Sequence, residues 1–213
     1  MMPILSAKLS QLHPRKTLTV IAVLLLTGIL EPPAYADTSW PTTTTGTGNP
    51  YVLNKDHSKI GFAIGHMVVS STDGLFTDFA GKLMFNPQSP QLSKIVVEVT
   101  PGSVHTNEEA RDEHLKTADF FNVAKYPVAT FENTSINLTD KTSGKLTGNL
   151  TLLGVTKPVT LDVTLQGDDL NADHLNFMAT GTIKRSDFGM NDFKLMVGDE
   201  VTLNIQAEFD RQP

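Results

Sequence analysis

The chain has 213 residues, with 17 Lys and Arg against 23 Asp and Glu, a formal net charge of −6 and no cysteine. The acidic excess weighs against nucleic acid and anionic membrane surfaces as partners. The lack of cysteine excludes disulfides, thiol catalysis and thiolate metal sites, so a folded domain here rests on its core alone.

His13, Arg15 and Lys16 precede the apolar run "TLTVIAVLLLTGIL", Thr17 to Leu30, and Ala34 and Ala36 follow at the small-residue positions of an A-x-A site. Basic head, short apolar run and A-x-A predict a secretory signal peptide over residues 1–36, cut after Ala36. The run falls short of the ~20 residues a membrane-spanning helix needs, and no later segment supplies one. Cleavage removes Lys8, Arg15, Lys16 and Glu31 and leaves the remainder more acidic still. Residues 37–50, "DTSWPTTTTGTGNP", read as a flexible lead-in, and residues 51–213 as one domain.

Period-two alternation then dominates. Ile60, Phe62, Ile64 and His66 share one face; Leu75, Phe79, Leu83 and Phe85 share another through Gly81. Ile95, Val97 and Val99 follow, then a segment near Val128 to Leu138 that includes Phe131. Further sets are Leu146, Leu150 and Leu152; Val159, Leu161, Val163 and Leu165; Phe177, Ala179, Gly181 and Ile183; and Val201, Leu203, Ile205, Ala207 and Phe209. Such runs, with polar second faces and turn formers between them, predict eight antiparallel strands joined as a meander. A sandwich and a closed barrel both satisfy that pattern. Glycines inside the strands, Gly61, Gly65, Gly81, Gly148 and Gly181, favour the barrel, whose closure demands sharp bending.

"TNEEARDEHLKTADFF", Thr106 to Phe121, breaks the pattern. Thr106 with Glu109 is a capping-box spacing, acids occupy the first turn and Lys116 the last, which predicts a helix over residues 107–116. Ala110, His114 and Leu115 fall toward one face, and Phe120 and Phe121 add apolar bulk beyond it. The helix either seals the core as a packed crossover or forms a lid whose aromatic end lines a ligand cavity.

The polar residues divide between structural and ligand-facing readings. His66 is a hydrogen-bonded core histidine or a headgroup contact. Arg111 and Asp112 diverge by about 100° on a helix and reach different partners; a salt bridge fixing the helix to the barrel is expected, with Arg111 gripping an anionic headgroup as the alternative. Arg185 and Asp187 are expected to pin a strand end. The histidines His57, His66, His105, His114 and His174 form no local ligand pair, and no metal site or cofactor is expected. "DFG", Asp187 to Gly189, stands without the other elements of a kinase.

The segments "DHSKIGFAIGH", "GLFTDFAGKL", "RDEHLKTADFFNVAKYPVATF", "GNLTLLGVTKPVTLDV" and "FMATGTIKRSDFGMN" together resemble the YceI-like family of bacterial polyisoprenoid- or lipid-binding proteins, from Tyr51 to Phe209. Tyr51 stands where the family usually opens its first strand with Trp or a similar aromatic. The resemblance implies an eight-stranded, lipocalin-like, up-and-down barrel with a helix in the connection after the third strand. It also implies a periplasmic location, frequent dimers, and an apolar cavity for an isoprenoid, quinone or fatty chain.

The residues suit such a chain: each buried methylene contributes roughly 0.8 kcal/mol, and an apolar tube with a few polar groups at one mouth suffices. The candidate wall is Phe62, Ile64, Phe76, Phe79, Phe85, Phe131, Phe177, Phe188 and Met190, closed by Leu115, Phe120 and Phe121, with His66, Arg111 and His114 at the head. The expectation is a non-enzymatic carrier. An enzyme using Asp112 and His114 as an acid/base pair, or a ligand-free interaction protein, are the alternatives.

Overall fold

The computed structural model describes residues 48–66 and 70–213; the expected signal peptide and nearly all of the expected lead-in lie outside the described residues. The segments are β1 (Asn49–Leu53), β2 (Lys59–His66), β3 (Ser70–Phe76), β4 (Phe79–Phe85), β5 (Lys94–Val99), β6 (Val104–His105), α1 (Glu109–Leu115), β7 (Ala129–Leu138), β8 (Ser143–Leu152), β9 (Val155–Gln166), β10 (His174–Lys184) and β11 (Val197–Arg211). β1 begins at Asn49, inside the stretch read as lead-in.

Eleven segments make eight barrel strands. β1 and β2 both pair with β11, β1 at residues 209–211 and β2 at residues 197–206, so they are two halves of one strand. β3 and β4 pair with β2 and β1 in turn and form the second strand. β5 and β6 form the third, paired with β4 and β3. β7 to β11 then follow as consecutive antiparallel neighbours, and the β1–β11 ladder closes the ring. The helix sits in the connection after the third strand, as the resemblance implied.

β11 shows why these residues form strands. Val201, Leu203, Ile205, Ala207 and Phe209 face inward, while Thr202, Asn204 and Gln206 face solvent. Outer-face pairs add cross-strand support: Thr147 with Thr160 at 2.9 Å, Thr151 with Thr156 at 2.8 Å, and Lys145 with Asp162 at 2.6 Å. The β8–β9 hairpin closes through Leu153 (φ 53°) and Gly154 (φ 72°). Positive φ at both central residues is what a tight hairpin's right-handed twist requires.

Two glycines are seats for rings. A Cβ on Gly74 would lie 2.3 Å from the Phe62 ring, and one on Gly148 2.4 Å from the Phe131 ring. Their service is close approach as much as bending.

One expectation fails in the second strand. Leu75 does not share the inward face with Phe79, Leu83 and Phe85; Thr72 and Phe76 line the interior instead. The break at Thr77 and Asp78 shifts the alternation by one. Thr77 N–H and Oγ1 bond the Ser103 carbonyl, and the Asp78 N–H bonds Ser103 Oγ, so the joint is tied to the third strand.

One barrel end is packed shut. Tyr51, Leu175 and Phe209 are each 1% exposed. Ring contacts run from Tyr51 to Phe85 (6.4 Å), Phe85 to Phe177 (6.4 Å) and Phe177 to Phe209 (6.1 Å). Tyr51 Oη donates to the Ala172 carbonyl at 2.9 Å, and Arg211 Nη2 donates to Tyr51 Oη at 2.9 Å. Among the described residues, no helix is long and apolar enough to cross a membrane.

Candidate ligand cavity

At the other barrel end the β5–β7 ladder stops at Val99 opposite Ala129. The chain beyond Val99 has no β7 partner, and the connection carrying α1 covers this gap. α1 starts two residues later than expected. Asn107 takes positive φ (62°), and Glu108 is the cap, accepting from Ala110 N at 3.3 Å. Thr106 does not cap the helix. It is buried, and its N–H and O–H both donate to Asp112 Oδ1, at 2.9 and 2.5 Å, while His105 Nδ1 lies 3.3 Å from Asp112 Oδ2. Burial works against the Asp112 charge, but the Thr106 bonds and His105 outweigh it and hold the carboxyl below its ordinary range. Asp112 is therefore the anchor fixing the helix to β6.

Arg111 makes no salt bridge among the described residues, contrary to the expectation. Its Nε donates to Thr106 Oγ1 and its Nη2 to the Thr106 carbonyl, both at 2.7 Å. Nη1 has no protein acceptor among the described residues, and the side chain lines the interior. The Asp112–His114 pair of the enzyme alternative does not form: Asp112 is bonded to Thr106 and His105, and His114 Nε2 meets Asp119 Oδ2 at 2.9 Å.

Arg185, 2% exposed, donates to the carbonyls of Gly198 (2.8 Å), Met190 (2.9 Å) and Val197 (3.1 Å), pinning the β10–β11 connection. Asp187 is exposed and plays no such part; Asp199 does, accepting from Ser186 N at 3.0 Å and Ser186 Oγ at 2.8 Å. No carboxylate lies within salt-bridge distance of Arg185 among the described residues, and this guanidinium also borders the interior.

These elements enclose a cavity of about 700 Å³ with an almost entirely apolar wall, within the range of roughly 300–1,000 Å³ typical of ligand sites. It runs the length of the barrel, from Phe120 and Phe193 near α1 to Phe85 and Leu170 toward the packed end.

Of the residues expected at the site, Phe62, Ile64, Phe76, Phe85, Arg111, His114, Leu115, Phe120, Phe121, Phe131, Phe177 and Met190 line this cavity. Phe79 and Phe188 do not. Phe79 packs with Leu53, Leu83 and Phe85, and Phe188 with Ala179 and Met190, as ordinary core. His66 pairs with Ser70 and Val197 in the ladder; its side chain is outside the described set.

Sequence reasoning missed Phe193, Met196 and the inward reach of Arg185. Phe193 stacks on Phe120 (5.6 Å, 6° between planes) and meets His114 edge-on at 5.4 Å. It holds positive φ (57°) in the β10–β11 connection, where the "FKLM" run at residues 193–196 was the available signal.

A closed eight-stranded barrel with one helix after its third strand and a lengthwise apolar cavity invites comparison with known proteins. The family model for the YceI-like domain matches residues 51–209. The chain belongs to the YceI-like family. Protein YceI of Salmonella newport (strain SL254) is 41% identical over 175 residues, covering 78% of this chain and 90% of the relative. Among solved structures, Burkholderia cenocepacia BcnA superposes with a TM-score of 0.67 at 25% identity, covering 73% of this chain and 98% of that one. The Campylobacter jejuni YCEI protein gives 0.61 at 34% identity, covering 70% and 90%. A polyisoprenoid binding domain from Saccharophagus degradans gives 0.61 at 15% identity, covering 76% and 98%, a likeness of fold. Within this YceI-like barrel, Tyr51 occupies the fully buried aromatic position that closes the packed end.

Proposed function

We propose that the protein is a periplasmic carrier for a long-chain amphiphile, an isoprenoid or acyl chain with an anionic head. The observation that carries this reading is the lengthwise apolar cavity bordered at its α1 end by two guanidinium groups, Arg111 and Arg185, with no carboxylate partner among the described residues. A chain gains free energy along the wall at roughly 0.8 kcal/mol per methylene. Arg185 is buried beside the apolar wall, where a cation is costly unless a counter-charge arrives, and Arg111 is exposed at the α1 end, where its guanidinium fork matches phosphate or carboxylate. Arg111, with Nη1 unspent, offers the direct contact; Arg185, its donors committed to carbonyls, adds field. The description of the Saccharophagus degradans relative as polyisoprenoid-binding supports the ligand class. The predicted signal peptide supports export.

Native mass spectrometry of the protein from periplasmic extract, followed by organic extraction, tests the reading. A mature mass beginning at Asp37, with a co-purifying prenyl or acyl species, is expected. A clean ligand-free mass, unchanged by added polyprenyl phosphate, quinone or fatty acid, would overturn it.

A further inference from the structure

The spacing of the histidines gives no local ligand pair, but the fold assembles one at the packed end, on the outer face of the barrel. Glu208 and Asp210 lie two residues apart on β11 and project on the same side. His174 is directly opposite Asp210 in the β10 ladder, with Nδ1 2.8 Å from Asp210 Oδ1. His57 comes from the β1–β2 turn, with Nδ1 2.7 Å from Glu208 Oε1. That turn is tied to the same site: Asn54 N donates to the Glu208 carbonyl at 2.8 Å, and Asn54 Nδ2 donates to Asp210 Oδ2 at 2.8 Å. Donor atoms of His174, Glu208 and Asp210 all lie within 4.8 Å of one another.

Two features set this cluster apart from a surface ion pair. Glu208 and Asp210 are half-buried, whereas the preceding outward residues of β11, Thr202, Asn204 and Gln206, are exposed. Neither carboxylate has a lysine or arginine partner among the described residues. Each neutral imidazole donates its Nδ1–H to a carboxylate, and a cation taken up at Nδ1 would displace that proton.

We propose that His57, His174, Glu208 and Asp210 form a binding site for a borderline divalent transition cation, Zn²⁺ or Cu²⁺. Two imidazole nitrogens and two carboxylate oxygens are a ligand set these ions accept, while Ca²⁺ and Mg²⁺ prefer all-oxygen sites. With bonds of ~2.0 Å, tetrahedral ligand atoms stand ~3.3 Å apart; the 2.7 and 2.8 Å contacts would open slightly, the other donors of His174, Glu208 and Asp210 already lie within 4.8 Å, and the exposed His57 ring would swing in beside them. Asn54 holds Asp210 from behind, the part an outer hydrogen bond plays at metal sites. The cation would staple the β1–β2 turn to β10 and β11 in a chain with no disulfide. The site is on the outside of the wall and is independent of the cavity and its ligand.

The test is calorimetric titration of ZnCl₂ into the purified, chelator-treated protein, with CuCl₂ and CaCl₂ in parallel. One equivalent of Zn²⁺ is expected to bind and to raise the melting temperature, with no response to Ca²⁺. The double variant His57→Ala/His174→Ala should lose the binding while keeping its circular dichroism spectrum, since both imidazoles are exposed. Glu208→Gln provides a second variant should the first fail to fold. Electron paramagnetic resonance of the Cu²⁺-loaded protein should show two nitrogen ligands. Absent Zn²⁺ binding, or binding and copper spectra unchanged in these variants, would overturn the proposal.

Discussion

The two ends of the barrel are built from similar residues to opposite effect. At the packed end, Tyr51, Phe85, Phe177 and Phe209 meet edge to face and close the floor of the cavity, and Arg211 clamps Tyr51 from outside with Asp173 at 3.5 Å beside it. At the α1 end, Phe76, Phe120, Phe121 and Phe193 also touch, yet they stand around the cavity's more exposed end without closing it. The arginines follow suit: Arg211 has a carboxylate within salt-bridge distance, and Arg111 and Arg185 have none among the described residues, Asp199 acting on Arg185 only at longer range. Aromatic content therefore does not tell core from cavity. The difference lies in which backbone bears the rings. At the packed end they all sit on ladders; at the α1 end Phe120, Phe121 and Phe193 sit on connections held by single anchors, Asp112 and Arg185.

The largest separation of the two ends should come from Leu175→Ala. Leu175 is fully buried and off the cavity wall; its truncation costs about 2–5 kcal/mol, so chemical denaturation should show a large loss of stability, while the folded fraction keeps its affinity for an amphiphile. Phe121→Asp should do the reverse. Phe121 is half-buried against Phe76 at 5.7 Å, so its loss lowers the melting temperature little, but a carboxylate on the cavity wall is costly to bury. Chain uptake, followed with a fluorescent fatty acid, should weaken at least about tenfold; normal uptake by a destabilised protein would show that the connection is only a seal. Arg111→Gln should act more narrowly still. A hydrogen bond to a charged group contributes about 1.5–3 kcal/mol, so affinity for a polyprenyl phosphate should fall about tenfold or more and that for a neutral quinone stay unchanged.

The smallest effect is on pH. Asp112 has its carboxyl lowered, so its anchoring is fully present above about pH 4 and is lost as pH falls through the lowered value. At the packed end the hydrogen bonds to Glu208 and Asp210 raise His57 and His174. Their contribution is fully present below about pH 6.5 and fades as pH rises through the raised values; Asp210, lowered chiefly by the same His174 bond, bounds that pair in acid. In metal-free buffer, Asp112→Asn should flatten the acid limb of the stability curve and His174→Ala the alkaline side. An unchanged acid limb in Asp112→Asn would remove the anchor from the comparison.

The barrel was legible because each ladder strand keeps one face apolar over many residues, and β11 does so without a break. The strand part of the cavity wall followed from the same faces, which is why Phe62, Ile64, Phe85, Phe131 and Phe177 are on it, while Arg111, His114, Leu115, Phe120, Phe121 and Met190 reach it from the helix and the connections. What could not be read is where alternation changes phase, as at Leu75 and Phe76, since a joint of two polar residues looks like any turn. Thr106 misled for a related reason: a helix cap and a buried anchor call for the same hydroxyl. Phe79 and Phe188 differ from Phe85 and Met190 only in how far the neighbours close over them. The pairing of His57 and His174 across β11 depends on ring closure, which no local spacing reveals.

The joint at Thr77 and Asp78 has a consequence for how this chain can change length. Plain alternation carried back from Phe79 through both joint residues would turn β3 inside out, sending Ser71, Asp73 and Leu75 inward and Phe76 into water; dropping one residue restores simple alternation with Phe76 and Phe79 both still inward. The hairpin tip at residues 139–142 has no such arithmetic, because nothing beyond it depends on parity. Length at the tip is thus free of side-chain direction, whereas the joint holds one residue more than alternation requires, a frame shift that keeps both halves of the strand facing inward.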